Sequence, residues 1–86
     1  MSFENLALKC GVKSSDFQDL VYGNVNESIG KKLDVPFNSI QIFLDGGTST
    51  ELASKIGISS SDLQFLRYQN GRDGAIGLLI GLLINE

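Results

Sequence analysis

Apolar residues return along this chain at a fixed interval of 23 positions: Leu6, Ile29 and Leu52; Cys10, Leu33 and Ile56; Val12, Val35 and Ile58; Phe17, Ile40 and Leu63; Leu20, Phe43 and Leu66. Within each interval the first two positions, Leu6 and Cys10, Ile29 and Leu33, Leu52 and Ile56, are four residues apart, which places them on one face of a short helix. Gly11 and Gly57 follow directly, where a helix ends in a left-handed residue that glycine adopts without a Cβ penalty. Asp34 takes that place in the middle set, and Asp enters the left-handed region more readily than most residues. After one apolar residue come candidate caps: Ser59 with Asp62 has the form of a capping box, and Ser14 or Ser15 offers the same earlier in the chain. A second helix follows, with apolar positions three apart, so that Leu63 and Leu66 point back at Leu52 and Ile56. Each 23-residue unit therefore reads as a helix, a tight turn and a second helix.

The outer two units are nearly the same text. Residues 6–24, "LALKCGVKSSDFQDLVYGN", and residues 52–70, "LASKIGISSSDLQFLRYQN", agree at 11 of 19 positions, the mark of an internal duplication. The pattern predicts an all-α single domain of about seven short helices. Its repeats fall at approximately 1–24, 25–47 and 48–71, with a truncated fourth unit at 72–86. Ser2 caps the first helix and Asn26 the third, while Pro36 opens the fourth, and Thr48 with Glu51 suggests a capping box for the fifth. The sixth runs to about Gln69 and is closed by "NGRDG". Residues 38–44 stay open between helix and strand, because Ile40, Ile42 and Leu44 alternate, and the unit's register favours helix.

The last stretch, "GAIGLLIGLLINE", is apolar on every helical face, and 11 residues from Gly74 to Ile84 fall well short of the roughly 20 that cross a bilayer. No membrane span is expected. Gly77 and Gly81 lie on one face, so a homo-oligomer is expected, most simply a dimer, with Gly77, Leu78, Gly81 and Leu82 at the interface. The alternative is a helix enclosed within one chain, its glycines admitting Leu52 or Phe17.

The stretch "ELASKIGISSSDLQFLRY" resembles the helix-turn-helix motif of bacterial and phage DNA-binding proteins. Ala53 supplies the small residue of the first helix, Ile56 and Ile58 flank the turn glycine Gly57, and Leu63 and Leu66 hold the second helix. Ala7, Cys10, Gly11, Val12, Phe17 and Leu20 meet the same demands, as do Gly30, Leu33, Val35, Ile40 and Phe43 with Asp34 at the turn. The resemblance implies binding to double-stranded DNA, with the second helix in the major groove. Outward positions would then be Lys13, Ser14, Ser15, Gln18, Asp19 and Tyr22 in the first unit, and Ser59, Ser60, Ser61, Gln64, Phe65 and Tyr68 in the third. Gln18 and Gln64 would pair with adenine, and Lys13 and Arg67 would meet phosphate.

Charge works against that implication. The net charge is −3, Asp16 and Asp62 sit near the starts of the two reading helices, and DNA affinity comes largely from neutralised phosphates. The competing class is a protein-binding helical repeat, favoured by Phe65, Tyr22 and Tyr68 at outward positions and by the apolar last helix. Catalysis is not expected. The chain has no histidine and one cysteine, Cys10, at a core position, so neither the commonest general base nor a thiolate zinc site is available, and no cofactor is implied. The serines beside Asp16 and Asp62 read as helix caps. "DGGT" lacks the Lys-Ser/Thr ending of a phosphate loop, and "GRDGAIG" has no strand before it to make a dinucleotide site. No charged segment followed by an apolar core opens the sequence, so a cytoplasmic location is expected.

Overall fold

In the computed structural model, which describes residues 2–85, the left-handed turns stand where the 23-residue interval puts them. Helix α1 (Phe3–Cys10) ends at Gly11 with φ 72°, α3 (Glu27–Leu33) at Asp34 with φ 58°, and α5 (Thr50–Ile56) at Gly57 with φ 90°. The next residue then donates its N–H back across the turn: Val12 to Ala7 O at 3.1 Å, Val35 to Gly30 O at 3.0 Å and Ile58 to Ala53 O at 3.0 Å. These bonds satisfy carbonyls that a helix end leaves without partners. The acceptors are all small residues. A Cβ at Gly30 would stand 2.9 Å from Val35 O and 3.0 Å from the Phe37 Cβ, so there the turn closes over a residue that has no room for a side chain.

Second helices follow: α2 (Ser14–Val21), α4 (Phe37–Leu44) and the start of α6 (Ser60–Ile84). The described residues form helices and turns without strands. Residues 38–44 are helical because Ile40, Phe43 and Leu44 share one face and are fully buried, while Ile42 points outward. Among the described residues six helices appear where about seven were expected, since α6 runs from the third unit straight into the apolar tail. One residue does the work expected of the "NGRDG" loop: Gly71, at φ 71° and ψ −177°, breaks α6 into segments 60–70 and 72–84. That left-handed conformation is open to glycine and strained for other residues.

Several caps differ from expectation. Ser2, Asn26 and Ser59 accept from the N–H groups of Asn5, Ile29 and Asp62. The cap of α5 is Ser49, which accepts from Leu52 N at 3.3 Å, and not Thr48. The Glu51 carboxylate does not complete a capping box with Thr48. Its own backbone N–H and the hydroxyls of Thr50 and Ser39 hold it below the usual carboxylate range. Neither Ser14 nor Ser15 caps α2, because the helix begins at Ser14 and its N-cap is Lys13, which offers no acceptor.

The core joins all units. Leu20, Leu33 and Leu63 are fully buried with Phe17, Phe43, Ile29, Ile40 and Leu52. Ile56 is only half-buried, and Leu66, expected inside, is 39% exposed. Helix α6 packs against α1, α3, α4 and α5, and its second segment buries Ala75, Ile76, Leu79 and Leu83. That segment is not enclosed on every side. Leu78, Ile80 and Leu82 pack partly on the core, while Gly77 and Ile84 face solvent. No atom of another element lies within 4 Å of a Cβ built at Gly77 or Gly81, so the glycines admit neither Leu52 nor Phe17. The radius of gyration, 11.9 Å, is that of one packed domain of this length, about 12 Å.

Candidate interaction surface

The polar side chains that the helix-turn-helix resemblance assigns to DNA divide into two groups. In the first unit, Lys13, Ser14, Ser15 and Gln18 are exposed at the start of α2. The Lys32 side chain reaches this turn from α3, close enough that a Cβ at Gly11 would stand 2.7 Å from its Nζ. Asp16, in the first turn of the same helix, accepts from Asn26 Nδ2 at 2.7 Å and ties the first unit to the second.

In the third unit the same list is mostly occupied with holding the fold. Ser59 is the cap of α6 and shares a hydrogen bond with Ser61 at 3.2 Å, and Ser60 is half-buried. The Gln64 Oε1 accepts from Thr48 Oγ1 at 3.3 Å. Arg67 donates from Nε at 3.1 Å and Nη2 at 2.9 Å to Leu44 O, so it closes the C-terminus of α4, where a cation also complements the helix dipole. Tyr68 is 84% exposed.

Gln41, halfway in register between Gln18 and Gln64, shows what an amide at this position does inside the stack. Its Oε1 accepts from Val25 N at 2.8 Å, and its Nε2 donates to Gly23 O at 2.9 Å. One side chain thus satisfies both sides of the junction between first and second units. Arg72 Nη2 adds a second donor to Gly23 O at 3.0 Å and a partly exposed ion pair with Asp45 at 3.4 Å. The recurrence of glutamine at 18, 41 and 64 is a signal in the sequence, but for Gln18 and Gln64 it reads as base recognition; Arg67 and Arg72 give no such signal, because each meets a backbone carbonyl brought near only by the fold.

The second helix of the third unit also exposes apolar residues. Phe65 is 61% exposed, and Leu66 and Tyr68 adjoin it on the same short stretch of α6, with half-buried Ile56 at the end of α5. The equivalent residues of Leu66, Leu20 and Phe43, are fully buried. The second stripe expected as an interface is smaller in apolar content: Gly77 is exposed and Gly81 half-buried, whereas Leu78 and Leu82 already pack on the core. Among the described residues, no helix is long and apolar enough to cross a membrane, and no cluster of three or more potential ligands could hold a metal ion. Comparison with known proteins gave no match to a family model, a curated protein or a solved structure.

Proposed function

We propose that the chain is a non-enzymatic helical-repeat interaction module whose contact face is the exposed side of α6 segment 60–70. The observation that carries this reading is Leu66, 39% exposed at a position that is fully buried in both other units, and flanked by Phe65 and Tyr68. Aromatic residues set in an apolar patch supply contact area at low entropic cost and are enriched at protein interfaces. Electrostatics supports the same reading over DNA, since Arg67 is committed to Leu44 O and the net charge is −3.

A second reading, double-stranded DNA, is favoured by one local feature. Lys13, Ser14 and Gln18 stand exposed at the start of α2 with Lys32 beside the turn, so a DNA contact belongs to this helix and not to the third unit. Two experiments test the choice. Titration of mixed-sequence duplex DNA at low salt, where the phosphate contribution is strongest, is expected to show no binding; binding weakened by Lys13→Ala would favour the second reading. Affinity capture from cells with wild type and with Phe65→Ser/Tyr68→Ser, of unchanged helicity, is expected to yield proteins retained by wild type alone. A retained set indifferent to those substitutions would refute the contact face.

A further inference from the structure

We infer that Gly71 is a hinge between two forms of α6: the bent form described above, and a straight helix through residues 60–84 whose second half takes the equivalent place in a second copy of the chain. A single residue separates the two segments. Helix runs up to residue 70 and resumes at 72, and Gly71 alone has non-helical torsions, φ 71° and ψ −177°. Only glycine enters that region freely. Nothing lies within 4 Å of a Cβ built there, so backbone conformation and not packing calls for the glycine. A second glycine serves the same bend for a different reason. A Cβ at Gly74 would stand 2.5 Å from the Asn70 Cβ, whereas residues four apart on a regular helix hold their Cβ atoms about 5–6 Å apart. The bend therefore presses the first turn of segment 72–84 against the end of segment 60–70, where the Asn70 side-chain amide donates to Leu66 O at 2.8 Å. Asn85 donates in the same way to Gly81 O, at 2.9 Å, where α6 finally ends.

The residues after the hinge hold the bent form. Arg72 donates to Gly23 O at 3.0 Å and pairs with Asp45 at 3.4 Å, and Ala75, Ile76, Leu79 and Leu83 are buried in the core. Both partners of the ion pair are partly exposed, which keeps it weak, so the apolar face carries most of the closure. That face fits the core of a second copy as it fits its own, because the two cores are identical. Exchange therefore keeps the buried contacts of all four residues, and a short connection under strain is where such exchange begins. In the straight form positions 71 and 74 are ordinary helix interior, where glycine is weaker than alanine. The two glycines thus hold the chain in the bent, closed form. Alanine at either position penalises the bend and favours the straight helix.

Sedimentation of the whole chain at high micromolar concentration tests the hinge. Gly71→Ala and Gly74→Ala are each expected to dimerise at least about tenfold more tightly than wild type, with helicity retained by circular dichroism. The dimer should persist long after dilution, because its release requires a segment to leave a core. D-alanine at position 71 separates the causes. The torsions there, φ 71° and ψ −177°, mirror the extended region open to ordinary residues, so a D-side chain fits the bend and resists the straight helix. A chain synthesised with D-alanine should dimerise no more than wild type. A Gly71→Ala chain that dimerises no more tightly than wild type overturns the inference, as does one that loses helicity at that concentration, since the straight form would have relieved its strain. Equal dimerisation with L- and D-alanine, or a dimer that re-equilibrates at once on dilution, also overturns it, by placing the contact on the outer surface.

Discussion

The three glutamines at 18, 41 and 64 offer a graded test of the unit junctions, because one residue type occupies one register position in three environments. Gln41→Ala removes an acceptor from Val25 N, bonded at 2.8 Å on a residue only 7% exposed, and a donor from Gly23 O. Gly23 O keeps its bond from Arg72, so the larger penalty is the stranded Val25 N–H. A buried donor left without a partner costs about 1–3 kcal/mol, and a lost hydrogen bond about 0.5–1.5 kcal/mol, for a total near 2–3 kcal/mol. In a domain of this size that is a fall in Tm of about 10 °C or more. Gln64→Ala breaks one exposed bond to Thr48 and should cost about 0.5–1 kcal/mol, and Gln18→Ala, whose exposed side chain makes no hydrogen bond among the described residues, less than about 0.5 kcal/mol. Urea melts followed by circular dichroism read these differences directly as midpoint shifts at constant slope. A Gln41→Ala variant within about 0.5 kcal/mol of wild type, or a Gln18→Ala variant as damaged as Gln41→Ala, would refute the clamp.

Leu63→Ala should cost about 2–5 kcal/mol in the same melts, and Leu66→Ala less than about 1 kcal/mol, because only the first side chain is fully buried; the reverse order would mean that the described register of α6 is wrong. Gly77→Ala and Gly81→Ala should each stabilise the chain by about 0.5–1 kcal/mol, since both are helical and no atom stands where the methyl would go, whereas destabilisation or loss of an oligomer would reveal a helix packed there. Cys10 is fully buried and desolvation pushes its thiol pKa up, so a thiol reagent should label it only as fast as the chain opens; rapid labelling of the native protein would contradict its burial.

The elbows of this fold were legible in the sequence because they are local. A small residue at 7, 30 or 53, a residue that tolerates positive φ four positions on, and an apolar residue after it suffice to close each turn by its own backbone bonds. The sealed state of a side chain is not local. Leu66 matches Leu20 in type and register, yet it is 39% exposed where Leu20 is sealed, because what packs over each is set by the tertiary arrangement. Polar residues misled for a related reason. Gln64 and Arg67 sit on the face that a reading helix would present, but what they meet is Thr48 and the end of α4, contacts that arise only when the units stack. The apolar tail reads as buried on every face, and the structure instead offers it a single buried face, bounded by two glycines.

Side-chain oxidation by hydroxyl radicals, compared between dilute purified protein and cells that express it, tests the contact face most directly. In dilute solution Phe65 and Tyr68 should oxidise readily, at 61% and 84% exposure, and Leu8, at 75%, serves as a reference on a surface assigned to no contact. Inside cells the account predicts protection of Phe65, Leu66 and Tyr68 relative to Leu8. Equal oxidation of all four in both settings would contradict it.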